Sequence, residues 1–126
     1  MTRPSHKELH GKLQAALQCV HANRILLVEP AVIVSDAISL GYSIRHELQV
    51  VLLDLLNNTG PDHYAGGRPP EKSYETRIRN LELWAFSVQC PRFESRVYYK
   101  FSLYEGCFCL VSLHACTGPG EGGESP

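Results

Sequence analysis

The 126-residue sequence lacks the features that direct a chain to a membrane or out of the cell. No apolar run approaches the roughly 18 residues that a membrane-spanning helix needs. The polar start, MTRPSHKELHGK, has no apolar central segment of the kind found in secretory signals. These absences predict a cytoplasmic protein with no membrane partner.

Neither charge nor cysteine content singles out a partner. Lys and Arg number 12 against 13 Asp and Glu, for a formal net charge of -1, so bulk charge favours no class of partner. A nucleic-acid binder with this balance needs its basic groups gathered locally, because affinity for phosphate comes from the cations within reach. Five cysteines, an odd number, argue against a disulfide framework.

Common catalytic motifs are also missing from the sequence. It has no phosphate-cradling glycine loop, no nucleophile elbow and no H-E-x-x-H. A zinc site built from Cys107, Cys109, His114 and Cys116 is the one metal alternative. Against it, C-x-C is not the usual C-x2-C spacing, and two cysteines on one strand face would leave His114 on the other. We therefore expect most of these thiols to be small apolar core side chains, and we expect neither metal nor cofactor.

The chain does carry a helical pattern at its start. Ser5 and Glu8 have the spacing of a capping box, and the apolar stripe that follows predicts a helix over residues 6–22. After it, residues 25–28 are predicted to form either an edge strand or a buried connection.

Two further helices are marked by their end signals. Pro30 at a first helical position and Gly41 at the end predict the second helix. Ser43 is placed to cap the third, which is predicted to end near residues 57–60. The glycine- and proline-rich stretch from 61 to 73 predicts a loop.

Three short runs rich in β-branched and aromatic residues then follow one another: LELWAFSVQC, SRVYYKFSL and CFCLVSLH. They predict three consecutive antiparallel strands. Because helices precede strands, we expect a single α+β domain over residues 1–116, with N-terminal helices packed on a C-terminal antiparallel sheet of three to four strands. The composition of residues 117–126 predicts a disordered tail.

Alternation along the middle strand predicts one polar and one core face. Arg96, Tyr98 and Lys100 project to the same side, about 7 Å apart at each two-residue step. The side chains between them are predicted to form the core face: Val97, Tyr99, Phe101 and Leu103. Cations in a row on a sheet indicate a surface that meets solvent or an anion.

Simple alternation along the last strand predicts a shared face for Phe108, Leu110, Ser112 and His114. On that basis His114 reaches the side of Lys100 only if the strand register allows it.

Several of these side chains suit the cleavage of RNA. An imidazole can act as acid or base near neutral pH, and both His63 and His114 are candidates. Arg96 and Lys100 can hold a phosphate, the first by its planar fork and the second as a point charge. Tyr98 can donate a hydrogen bond or stack on a base.

The order of short patterns from Ala37 onward resembles a known toxin family. AISLGYSIRHELQVVLLDLLNNTGPDHY, followed by RVYYKFSL and LVSLH, is similar to the MqsR-type toxins, messenger RNA interferases related to the RelE superfamily. The resemblance implies a RelE-like endoribonuclease of helices and a twisted sheet that works without a metal. It also implies an antitoxin partner that blocks the active face.

The family's motifs fall on identifiable positions. Its Y-x-K pattern falls on residues 98–100, its S-x-K position on residues 112–114, and its D-x-Y element on residues 62–64. The lysine expected next is Ala65 here. The family's W-Q-D strand is replaced by LELWAF, so its glutamine has no counterpart.

Two functional hypotheses follow. The first is a toxin-type endoribonuclease acting on single-stranded mRNA, with these catalytic candidates: His63, Arg96, Tyr98, Lys100 and His114. Its candidates for substrate binding are Tyr64, Arg77, Arg79 and Ser112. The second is a catalytically silent RelE-like module that docks a protein partner, which the missing lysine and glutamine favour.

A purely structural role is an alternative for each candidate. Arg96 and Lys100 are also what a solvated strand face carries, with Glu82 and Glu94 as partners across the sheet. Arg77 and Arg79 suit a solvated entry to the sheet as well as a phosphate track.

Overall fold

The computed structural model describes residues 4–116 and contains three helices and four strands in that part of the chain. The helices are α1 (His6–His21), α2 (Pro30–Leu40) and α3 (Ile44–Asn57), and the strands are β1 (Ile25–Leu27), β2 (Trp84–Val88), β3 (Val97–Tyr104) and β4 (Cys107–Ala115). Short 3₁₀ turns at Pro61–His63 and Thr76–Ile78 interrupt the connection from α3 to β2. The α+β class predicted from sequence is confirmed. The predicted tail, residues 117–126, lies outside the described residues.

The helices begin and end at the predicted signals. The Ser5 hydroxyl accepts an N–H from the first turn of α1 at 3.0 Å. Gly41 ends α2 with φ at 86°, a conformation that glycine adopts without steric cost. At the start of α3, the Ser43 hydroxyl accepts an N–H of the first turn, and the Glu47 carboxylate accepts the Ser43 N–H at 2.7 Å. Donors that a helix end leaves unpaired are thereby satisfied.

The strands form one sheet in the order β1-β4-β3-β2. Strands β2, β3 and β4 are antiparallel neighbours, as predicted. Strand β1 pairs in parallel with β4, with Ile25 opposite Phe108, so residues 25–27 are an edge strand and the sheet is mixed. A tight turn forces β3 and β4 to be antiparallel, whereas β1 reaches β4 from the far end of the chain without that constraint.

All three helices pack on one face of the sheet, which carries its largest apolar side chains. The sheet residues that are fully buried there are Trp84, Phe86, Tyr99, Phe101, Phe108, Leu110 and Leu113. The rings of Phe101 and Phe108 lie 4.7 Å apart between centroids. The Tyr99 hydroxyl lies 2.8 Å from the Thr59 hydroxyl, so its polar atom is satisfied inside the core.

The opposite face of the sheet, called the outer face below, has an apolar half and a polar half. Residues 71–83, the covering segment, lie over the apolar half. Its Ile78 is 1% exposed and packs with Val28, Leu83 and Cys109. Burial of one such side chain contributes about 2 kcal/mol, which anchors the covering segment to the sheet.

Candidate functional site

A β-bulge in β4 decides which side chains share the outer face with Lys100. Phe101 lies opposite Leu110, but Lys100, the preceding residue of β3, lies opposite Ser112. Val111 is therefore an extra residue on β4. The alternation of faces restarts after Val111. Odd-numbered β4 residues therefore face outward before the bulge, and even-numbered residues face outward after it.

The bulge corrects the sequence prediction for the last strand. Phe108 and Leu110 face the helices, but Ser112 and His114 do not share their face, so the predicted common face of the four residues is wrong. Ser112 and His114 project from the outer face, because the extra residue reverses the side on which even-numbered positions lie. The strand register thus brings His114 to the same side of the sheet as Lys100.

The polar half of the outer face gathers side chains from three strands and their ends. We call this set the outer-face cluster, and it consists of Ser87, Arg96, Tyr98, Lys100, Ser112, His114 and Cys116. The register places Ser87, Tyr98 and His114 in one row across β2, β3 and β4. Lys100 and Ser112 lie in the next row. The predicted outward row of Arg96, Tyr98 and Lys100 on β3 is confirmed.

His114 and Tyr98 are in direct contact. Their rings stack with centroids 5.3 Å apart and planes inclined by 27°. Nδ1 of His114 lies 3.0 Å from the carbonyl oxygen of Ala115. Because a carbonyl only accepts, Nδ1 is the protonated nitrogen, and Nε2 is the basic one in the neutral ring.

Arg96 lies at the edge of the outer-face cluster. Its Nη1 donates to the Ser87 carbonyl at 3.0 Å and lies 3.4 Å from the Ser87 hydroxyl. The thiol of Cys116 lies 3.6 Å from the same hydroxyl. The exposed guanidinium is thus oriented by the neighbouring strand, and its fork has more N–H donors than this contact uses.

Glu75 is a carboxylate that interacts with Lys100, and Glu29 in turn interacts with Glu75. Glu29 immediately precedes α2, and Glu75 belongs to the covering segment. Desolvation raises the pKa of Glu75 above its ordinary value, as do the charge of Glu29 and a hydrogen bond with its side chain, whereas Lys100 opposes the rise. No local pattern in the sequence connects these three positions, because they come from separate parts of the chain.

His63 and Tyr64 are not part of the outer-face cluster. The 3₁₀ turn that ends at His63 contacts α1, and Nδ1 of His63 accepts the Gly60 N–H at 2.9 Å. Tyr64 is 6% exposed, and its ring packs edge-on against Phe86 on the helix side of the sheet, with centroids 5.8 Å apart. The structure does not bring these two candidates together with Lys100 and His114.

Arg77 and Arg79 are exposed on the covering segment. Burial raises the pKa of the Cys109 thiol on β4, and the positive charge of Arg77 partly offsets that rise. Arg77 therefore lies near Cys109. Both arginines therefore extend from the segment that borders the outer-face cluster.

The five cysteines are free thiols. Cys107 and Cys109 belong to the apolar half of the outer face, whereas His114 and Cys116 belong to the polar half. Within residues 4–116, no group of three or more His, Cys, Asp or Glu side chains is arranged to hold a metal ion.

Comparisons with known proteins assign no family. No family model matches the chain, and no curated protein and no solved structure shows significant similarity to it. The resemblance to MqsR-type toxins therefore stays a prediction. None of the helices in the described part of the chain has the length and apolar character needed to cross a bilayer.

Proposed function

We propose that this chain is a cytoplasmic, metal-independent endoribonuclease of the toxin type, with single-stranded mRNA as substrate and an antitoxin protein as partner. The observation that carries the proposal is the pairing of His114 with Tyr98 and of Ser112 with Lys100 on the outer face. Opposite residues of antiparallel strands have Cβ atoms about 5 Å apart, so one phosphodiester can contact an imidazole, a phenol and an ammonium at once.

The chemistry assigns a role to each group. The 2′-oxygen of the ribose bonds to phosphorus while the bond from phosphorus to the 5′-oxygen breaks, which leaves a 2′,3′-cyclic phosphate and a 5′-hydroxyl. Nε2 of His114 takes the proton of the 2′-hydroxyl, and the Tyr98 hydroxyl protonates the leaving 5′-oxygen. Lys100 and Arg96 offset the charge that develops on the phosphate oxygens. Water returns the proton from His114 to Tyr98 after each cycle.

Local charge supports phosphate binding despite the formal net charge of -1. Arg96 and Lys100 project from the sheet, and Arg77 and Arg79 project from the covering segment, giving four cations. The covering segment also carries acids, Glu71, Glu75 and Glu82, and Glu75 interacts with Lys100. Arg96 and Lys100 are the cations of the outer-face cluster itself, and affinity for phosphate comes from the cations within reach of the ligand.

A second candidate is a catalytically silent RelE-like module that docks a protein partner. One observation favours it: Ala65 occupies the position of the expected lysine, and its N–H donates to the Ala85 carbonyl at 2.8 Å. That position supplies a backbone contact and no cation. Tyr98 is also only 4% exposed, which restricts access to its ring.

Cleavage of a labelled single-stranded RNA by pure protein in the presence of a chelator tests the proposal. We expect cleavage to products with a 2′,3′-cyclic phosphate, and losses on the order of a hundredfold or more in Lys100→Ala and His114→Ala. Lys7→Ala and His10→Ala make the same chemical changes on the exposed surface of α1 and are expected to retain activity. A folded wild-type protein that leaves the RNA intact would overturn the enzyme and favour the binding module.

A further inference from the structure

One tyrosine of the covering segment projects fully into solvent. Tyr74 is 94% exposed, whereas Tyr98 and Tyr99 are buried. Exposure of a single aromatic residue is ordinary on a protein surface. The rigid backbone that carries Tyr74 and the charges around it are what indicate a ligand.

The backbone on either side of Tyr74 is fixed. Hydrogen bonds of 2.8 to 2.9 Å join residues 71–73 to residues 80–83 across the base of the covering segment. Ser73 is 4% exposed, and its hydroxyl accepts the N–H of Glu75 at 3.0 Å. Ile78 anchors the covering segment to the sheet. A side chain on such a preorganised loop loses less conformational entropy on binding than one on a mobile loop.

The surroundings of Tyr74 connect it to the outer-face cluster. Glu75, the next residue, lies within the electrostatic influence of Lys100. Arg77 and Arg79 are exposed on the same covering segment. Tyr74 is therefore one residue from a carboxylate that interacts with Lys100, on a segment that also carries two exposed guanidinium groups.

We propose that Tyr74 is a stacking platform for an unpaired base of the RNA bound at the outer-face cluster. The inference rests on the proposed function for its ligand and adds a residue that contacts a base beyond the reacting phosphate. Aromatic rings that stack bases, combined with cations that follow the backbone, are the general means of holding a single strand. A duplex keeps its base faces within its own stack, so the ligand class is single-stranded and the contact tolerates any base.

Binding of a fluorescently labelled 2′-O-methyl oligonucleotide tests this inference. Such a strand lacks the nucleophilic hydroxyl and cannot be cut, so affinity is measured without turnover. We expect Tyr74→Ala to weaken binding about tenfold, and Tyr74→Phe to bind like wild type. Tyr74→Leu, which is apolar but not aromatic, is expected to weaken binding as alanine does. Tyr104→Ala, at a tyrosine that is 46% exposed near the β3–β4 turn, is the matched control.

A second readout reports on stacking directly. Trp84, the single tryptophan, is 2% exposed and lies on the helix side of the sheet, so an indole introduced by Tyr74→Trp is the only one open to the ligand in residues 4–116. Its fluorescence is expected to be quenched by the single strand and not by a duplex of the same sequence. Quenching that a duplex also produces would contradict stacking.

The outcomes separate this inference from the enzyme itself. Unchanged affinity in Tyr74→Ala would overturn it, and so would a folded wild-type protein that binds no single strand, which would leave Tyr74 to a protein partner. Weakened binding in Tyr74→Ala together with absent cleavage by wild type would support the stacking platform and overturn only the endoribonuclease.

Discussion

The imidazole of His114 stacks on the phenol ring of Tyr98, its direct partner across β4 and β3. The stacking restrains the orientation of the imidazole, and the contact of Nδ1 with the Ala115 carbonyl sets its tautomer. Nε2 is consequently the nitrogen of His114 that takes up a proton.

Two substitutions of Tyr98 separate its proton from its ring. Tyr98→Phe keeps the ring and removes the proton donor, so we expect kcat for RNA cleavage to fall on the order of a hundredfold. Tyr98→Leu also removes the stacking partner of His114 and is expected to lower kcat further. Steady-state kinetics on a labelled RNA measures both, and thermal melting shows whether each variant is folded. Full activity in Tyr98→Phe would contradict the role of the hydroxyl.

The helix caps and the faces of β3 follow from local chemistry, and the sequence was enough to predict them. Ser5, Gly41 and Ser43 act within one turn of their own position, and alternation along β3 depends only on the pleat. The faces of β4 were not predictable, because no glycine or turn residue marks Val111 as the extra residue of a bulge. Only pairing with β3 shows it.

The interactions of Glu75 with Glu29 and with Lys100 illustrate a second limit. Glu29 and Glu75 belong to segments that are distant in sequence and meet only because β1 and the covering segment both pack on β4. His63 was predicted for the site from its chemistry, yet the 3₁₀ turn places it near α1 instead. Tertiary packing, which no local pattern encodes, decides both cases.

A buried hydroxyl without a partner makes Tyr42→Phe a stabilising substitution. Among residues 4–116, Tyr42 Oη has no hydrogen-bond partner, although it is buried. Removing it is expected to raise the free energy of unfolding by about 1 kcal/mol. Tyr99→Phe is the matched control, because it breaks the contact with Thr59 and is expected to lower the free energy of unfolding by about 1 kcal/mol. Urea denaturation with an unchanged slope measures both values. A destabilised Tyr42→Phe would show that the hydroxyl has a partner in solution.

The same tyrosines predict how stability changes at high pH. Burial, and then the charge of Asp36, raises the pKa of Tyr42 to about 12, and burial also raises the pKa of Tyr99. In the unfolded chain a tyrosine titrates near 10. The folded state holds these protons more tightly, so their contribution to stability is fully present below about pH 10 and is lost as the pH rises from there. We expect the free energy of unfolding to fall between about pH 10 and 12, and less steeply in Tyr42→Phe than in wild type.

The interaction of Glu75 with Lys100 predicts that RNA affinity depends on pH through Glu75. Because its pKa is raised, Glu75 takes up a proton at a higher pH than an ordinary carboxyl group does. Once Glu75 is neutral, its negative charge no longer offsets the charge of Lys100, which then attracts phosphate more strongly. Affinity for a 2′-O-methyl oligonucleotide is therefore expected to rise as the pH falls from neutral.

Glu75→Gln isolates this effect, since glutamine keeps the size of the side chain and removes its charge. At neutral pH the variant is expected to bind the oligonucleotide about threefold more tightly than wild type, as one partly screened charge allows. Its affinity should also lack the part of the pH dependence that Glu75 causes. Measuring both proteins in a His114→Ala background removes the titrating imidazole of the same face. Glu94→Gln changes the net charge equally on the exposed loop between β2 and β3 and serves as the control. If Glu75→Gln and wild type gain affinity in parallel as the pH falls, a group other than Glu75 controls the charge around Lys100.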